Sequence, residues 1–236
     1  MNKYDSIISL RGYVMIEFTN VKLMYVKEFY ALYNVNFKVN NGEKVALTGA
    51  QDSGKTSLLR IFAKLEKPDS GEICYNDIPL TDIDYEKDLS VAYVSNTPIL
   101  LRSSVRKNIE YVLKVRKYPK AERAQVIDKT LDDFALKSVA NEKIKNISMY
   151  QKRLLQFAML STRPRIDVLL VDDILVGLSE TESKTIKEIL KTFMNKKGTT
   201  TFFACSNESI AKELCDKIVY LKLGAVEKIE SAKLKI

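Results

Sequence analysis

Gly49-Ala50-Gln51-Asp52-Ser53-Gly54-Lys55-Thr56 is the stretch on which the reading of this chain turns. It fits G-x-x-x-x-G-K-[ST], and each fixed part has a physical purpose. The glycines let the backbone curl until successive N–H groups face one anion. A helix opening at that point adds the positive end of its dipole. In such a loop Lys55 reaches β- and γ-phosphates, and the Thr56 hydroxyl ligates Mg²⁺. The flanks agree: Lys44–Thr48 reads as a strand, and a helix is expected from near Gly54 to about Lys64.

A metal partner for Thr56 is expected at the end of a distant buried strand. Val168-Leu169-Leu170-Val171-Asp172-Asp173 supplies it, four apolar residues followed by two carboxylates. Asp172 is read as holding the metal's water shell and Asp173 as orienting an attacking water.

Outward from these two segments, strand-like and helical patterns alternate, which predicts an α/β fold with a partly parallel sheet. The first forty-odd residues are β-rich, with short strands predicted at Val14–Phe18, Lys22–Tyr25 and Asn34–Val39 and a turn at Asn40–Asn41–Gly42. Turn chemistry at Pro68–Gly71 leads into a strand at Glu72–Tyr75. Helices dominate about residues 97–165: Ser103 or Ser104 caps a run through Arg116, Lys120–Phe134 has helical spacing, and Ser148 caps a run through Ser161. After the strand at Val168–Val171, a helix is expected at Glu180–Met194, a strand at Thr200–Ala204 and a helix at Glu208–Cys215. Strands at Ile218–Leu221 and Ala225–Ile229 close the pattern.

Composition narrows the functional classes. Hydrophobic content of 46% and charged content of 29% are ordinary for a folded protein. The best apolar run, Val168–Leu178, is broken by Asp172 and Asp173, so no membrane span is expected. Met1–Asp5 does not read as the start of a signal peptide. With no histidine and with Cys74, Cys205 and Cys215 unpaired in spacing, neither a cysteine–histidine zinc site nor a disulfide framework is expected. The net charge of +8 is spread along the chain, and no nucleic-acid partner is expected from it.

Over almost its whole length the chain resembles the nucleotide-binding subunits of ABC transporters. Ile16-Glu17-Phe18-Thr19-Asn20-Val21 looks like that family's first strand, and Lys67-Pro68-Asp69-Ser70-Gly71-Glu72-Ile73 is similar to its stretch after the phosphate loop. Ser104-Val105-Arg106-Lys107-Asn108-Ile109 resembles the start of its helical insertion, most like that of importers of small solutes. The resemblance implies one cassette over 1–236: a P-loop NTPase with a RecA-like core, an antiparallel β subdomain at about 12–48 and 70–80, and an inserted α-helical subdomain at about 97–165. It implies ATP and Mg²⁺ as ligands, a transmembrane permease subunit as partner, and a homodimer or heterodimer with another ATP-binding subunit. It implies a place in the cytoplasm, peripheral on the inner face of the cell membrane. The stretch Lys222–Ile236 is short, and no appended regulatory domain is expected in it.

By that resemblance Tyr25 stacks on adenine. The nucleotide contacts are Gly49, Ala50, Gln51, Asp52, Ser53, Gly54, Lys55, Thr56 and Ser57, with Ser148 and Gln151 from the signature segment. Thr56, Asp172 and Asn96 serve the metal, and Asp173, Asn96 and Ser206 the catalysis. Several of these depart from the family pattern. Asn96 stands for the loop glutamine, and Ile147-Ser148-Met149-Tyr150-Gln151 for Leu-Ser-Gly-Gly-Gln. Asp173 stands for the catalytic glutamate, Ile174 for the proline after it, Ser179 for an aspartate and Ser206 for the switch histidine. Asp52 occupies the place of a third glycine. Binding elements are intact while hydrolysis and dimer-closing elements are altered, which implies ATP binding with weak or absent turnover. Two alternatives are a non-hydrolysing partner in a heterodimer and an ABC protein outside transport. A small-molecule kinase on the same loop is a further one.

Overall fold

The computed structural model describes residues 15–26 and 29–232. The readings placed on Met1–Asp5, on Val14 and on the last four residues lie outside that range. The chain divides into two compact units, residues 1–93, 166–173 and 193–236 in one, and 94–165 with 174–192 in the other.

The first unit holds two sheets. In the antiparallel one the order is β2-β1-β4-β5, with β1 Met15–Val26, β2 Phe29–Asn40, β4 Ser70–Tyr75 and β5 Ile78–Pro79. The two short strands expected at Val14–Phe18 and Lys22–Tyr25 form one strand. Between them Phe18 pairs with Phe37 and Val21 with Val35, so β1 spends one extra residue there. Three residues apart, Phe18 and Val21 would face opposite sides of a regular strand; the bulge puts both in the core. Asn20 takes φ 51° in the bulge, and its N–H is received by the Asn36 side chain at 2.8 Å.

The second sheet has the order β10-β9-β3-β8-β7-β6. Its strands are β3 Lys44–Thr48, β6 Val91–Val94, β7 Val168–Asp172, β8 Thr200–Ala204, β9 Lys217–Lys222 and β10 Ala225–Ser231. Parallel pairing joins β3 to both β8 and β9, and β7 to β8. β7 and β8 are buried along their whole length, which is why they read as unbroken apolar or β-branched runs. The Asn40–Gly42 turn forms, but it is no hairpin. The chain leaves the antiparallel sheet after β2, and β3 lies in the second sheet, so the antiparallel strands reach Asn40 and not the expected residue 48. The short strands β5 and β6 were not foreseen.

Helix α1, Lys55–Phe62, follows β3. Its Phe62 meets Phe202 of β8 at 5.5 Å and Phe18 of β1 at 6.2 Å between ring centres, so α1 and both sheets share one core. The order places the ends of β3, β7 and β8 beside the loop that precedes α1.

The second unit is mainly helical, with α2 Val105–Val115, α3 Arg123–Asp133 and α4 Met149–Ser161; α5, Glu180–Met194, begins in it. Ser104 caps α2 by accepting the Lys107 N–H, settling the choice between Ser103 and Ser104. α6, Glu208–Leu214, lies in the first unit.

Candidate nucleotide-binding site

The loop from Gly49 to Gly54 connects β3 to α1 with two positions that only glycine fits. A Cβ on Gly49 would lie 2.1 Å from the Leu221 carbonyl oxygen, and one on Gly54, at φ 102°, 2.5 Å from that of Ala31. Asp52 also has positive φ, 61°. That is the physical reason for the glycine the resemblance places there; aspartate is among the few side chains that tolerate the left-handed region. Lys55 is buried and folds back over the loop, giving hydrogen bonds to the carbonyls of Gly49 (2.8 Å) and Ala50 (2.7 Å) and to Ser53 Oγ (3.3 Å). Burial lowers its pKa, while Asp173 and Asp172 pull it back up. The start of α1 carries no side-chain cap and no acid in its first turn, which leaves its N–H groups and dipole for an anion.

At the first turn of α1, Thr56 Oγ1 donates to Asp172 Oδ1 at 2.9 Å. A hydroxyl and a carboxylate are the hard oxygen donors that Mg²⁺ takes alongside phosphate and water, so the pair fits that ion. No cluster of three or more histidine, cysteine, aspartate or glutamate side chains suited to a metal occurs among the described residues.

The other oxygen of Asp172 accepts from the Tyr93 hydroxyl at 3.0 Å. Burial, then the Asp172 charge, raise the Tyr93 pKa and keep the phenol a donor. Arg60 lies beside this hydroxyl and pairs with Glu66 at 3.2 Å. Glu66 in turn accepts the Tyr25 O–H at 2.7 Å. Since that proton is given to Glu66, the Ser57 hydroxyl, 3.0 Å away, donates to the Tyr25 oxygen. Sequence reasoning missed Tyr93, Arg60 and Glu66; nothing in their local patterns separates them from ordinary strand and helix-surface residues.

Asp173 follows β7 with φ 46°, its N–H bound to the Ala204 carbonyl at 3.0 Å. Its Oδ2 accepts from Ser206 Oγ at 3.3 Å. The first unit thus brings together Tyr25, the loop through Ser57, Asp172, Asp173 and Ser206.

Asn96, Ser148 and Gln151 belong to the second unit, where their side chains have local partners. Ser148 and Gln151 form a reciprocal capping box on α4: Gln151 N–H to Ser148 Oγ at 3.1 Å, and Ser148 N–H to Gln151 Oε1 at 2.9 Å. Asn96 Oδ1 accepts from Arg153 at 3.1 Å, and the same buried guanidinium donates to the Ser95 carbonyl at 2.8 Å.

A glycine-bounded loop between a parallel strand and a helix, with a hydroxyl of that helix bonded to a carboxylate from a second parallel strand, defines the P-loop nucleotide-binding class. Within that class the chain belongs to the ABC transporter family, whose model matches residues 32–176. It is 30% identical over 208 residues to the sulfate/thiosulfate import ATP-binding protein CysA of Synechocystis, covering 87% of this chain and 58% of that one. To the sn-glycerol-3-phosphate import ATP-binding protein UgpC of Bartonella quintana it is 29% identical over 217 residues, covering 91% and 62%. The chain therefore spans less than two thirds of the length of these curated relatives. Among solved structures it is similar to a dimeric bacterial ABC transporter cassette, with TM-score 0.80 and 27% identity over 92% of this chain and 99% of that one. A dimeric cassette in a post-hydrolysis state bound to ADP and Pi gives TM-score 0.79 and 26% identity over the same shares.

Proposed function

We propose that the chain binds MgATP and is the nucleotide-binding subunit of a transporter, using that binding to drive solute movement through a separate transmembrane permease subunit. The observation that carries this is the Thr56–Asp172 hydrogen bond at the foot of an intact phosphate loop. Lys55 would exchange its loop carbonyls for β- and γ-phosphate oxygens, which relieves a buried ammonium. Thr56 and Asp172 would hold Mg²⁺, which neutralises phosphate charge. Tyr25 would present its ring to adenine. The names of the curated relatives support import as the direction, and the dimeric cassettes support a dimer, of two copies or with another ATP-binding subunit. In that dimer Ser148 and Gln151 at the start of α4 would face the nucleotide of the opposite subunit. No helix among the described residues is long and apolar enough to cross a membrane, and the proposed place is the cytoplasmic face, docked to the permease.

A second reading has a specific observation behind it. Asp173 and Ser206 stand at the positions of the catalytic glutamate and switch histidine, both shorter than the residues they replace, and Ser206 Oγ donates to Asp173 Oδ2 at 3.3 Å. That favours a subunit that binds ATP and turns it over weakly or not at all, with a complete sister subunit supplying hydrolysis. Steady-state MgATP hydrolysis at high protein concentration, with Lys55→Ala as blank and ATP binding measured alongside, separates the two. Turnover above the blank supports an active motor subunit. Binding without turnover supports the silent partner, and absence of binding overturns both.

A further inference from the structure

We propose that Tyr93 is a positioning residue for Asp172, its hydroxyl fixing that carboxylate in the orientation that receives the metal. This rests on reading the site as one for MgATP.

Asp172 stands at the end of β7, and the terminal torsion of an aspartate is broad and roughly two-fold. One donor, Thr56, would leave the carboxylate free to pivot about that bond. Two donors do not: Oδ1 accepts from Thr56 on α1, and Oδ2 accepts from Tyr93 on β6, two elements far apart in sequence. The phenol is itself held. Its ring packs against the core shared by both sheets, and Arg60 lies beside its oxygen. Arg60 is anchored by Glu66, and Glu66 by the Tyr25 hydroxyl. The Tyr25 hydroxyl, Glu66 and Arg60 therefore form a line of polar contacts whose Arg60 end lies near the Tyr93 oxygen. A simply structural tyrosine would need the ring and not this bond. Hydrogen bonds to charged groups carry more than neutral ones, so the bond's loss is expected to be felt at the ion.

Tyr93→Phe keeps the ring and removes only the hydroxyl. The probe is a fluorescent ATP analogue, its affinity measured in EDTA and again in saturating MgCl₂; the ratio of the two is the tightening due to Mg²⁺. In Tyr93→Phe that ratio is expected to fall about three- to tenfold, with affinity in EDTA unchanged. A ratio that stays within about twofold of wild type overturns the inference. So does an equal loss in both conditions, which marks a general structural effect. Wild-type protein that binds the analogue in neither condition overturns the nucleotide-site reading itself, a distinct failure.

Discussion

Thr56 Oγ1 and Asp172 Oδ1, 116 positions apart in sequence, meet at 2.9 Å and tie the first turn of α1 to the last residue of β7. The bond can form because β7 is separated from β3 by β8 alone, all three running parallel, so their ends arrive on one side of the sheet. That is where ligands collect in open α/β sheets.

Two near-isosteric changes test that pair. Thr56→Val removes the hydroxyl and Asp172→Asn the charge. In EDTA, ATP affinity is expected to stay close to wild type in Thr56→Val and to rise in Asp172→Asn, which removes a carboxylate near Lys55; each should reduce the Mg²⁺-dependent tightening about tenfold or more, as loss of a charged contact implies. Calorimetric titration with and without MgCl₂ checks this. Lys55→Ala should behave differently, losing affinity in both conditions, because the proposed partner of its ammonium is phosphate and not the metal.

Asp52 separates backbone from charge. In the left-handed region a residue with Cβ is strained by about 1 kcal/mol or more, which glycine relieves. Glycine also widens the unfolded ensemble, at a cost of about 0.4–1 kcal/mol. The two nearly cancel, so Asp52→Gly is expected to change unfolding free energy by less than about 1 kcal/mol. Its effect on ligand should be one-sided, since a carboxylate leaves a loop built for phosphates. ATP affinity should rise roughly threefold or more at low salt, and less as salt is added. A salt series of binding isotherms reads this directly.

The fold and the phosphate loop were legible because their signals are local. Gly49, Gly54, Lys55 and Thr56 are set by what a backbone must do around an anion, and β7 and β8 by burial on both faces. Strands joined through a bulge were less so: Asn20 breaks the alternation that marks β1, and only its pairing with β2 and β4 shows the strand continuing. Tyr93 was invisible because its importance comes from Asp172, which no local pattern connects to it. Ser148 was read correctly as a helix cap, and the structure adds that Gln151 completes the box.

That box gives a stability prediction. Ser148→Ala is expected to destabilise the helical unit by about 1 kcal/mol, lowering the thermal midpoint by roughly 2–4 °C. Arg153 should matter more. The residue is 1% exposed and its guanidinium donates to the Ser95 carbonyl and Asn96, so Arg153→Ala empties a buried volume and should cost about 3 kcal/mol. Thermal and denaturant unfolding measure both, and isolated ATP binding should persist in Ser148→Ala.

Ser206 Oγ donates to Asp173 Oδ2 at 3.3 Å, so the two side chains at these positions are turned toward each other. Asp173 is also one methylene shorter than the glutamate that the resemblance puts there. Its backbone, at φ 46°, suits aspartate better than glutamate, so Asp173→Glu alone carries a small stability penalty of about 0.5–1 kcal/mol. Ser206→His alone supplies a donor with no correctly placed base. The double variant restores both groups at once, and misplacements of this size can each cost on the order of 10²-fold in rate. Its MgATP turnover is therefore expected to exceed the parent's by about tenfold or more and to exceed both single variants, with Lys55→Ala in the same background abolishing the gain. Steady-state phosphate release measures it. Unchanged turnover with intact MgATP binding would place the limiting defect elsewhere, at Met149 and Tyr150, whose side chains occupy the signature positions that glycine fills in the family pattern.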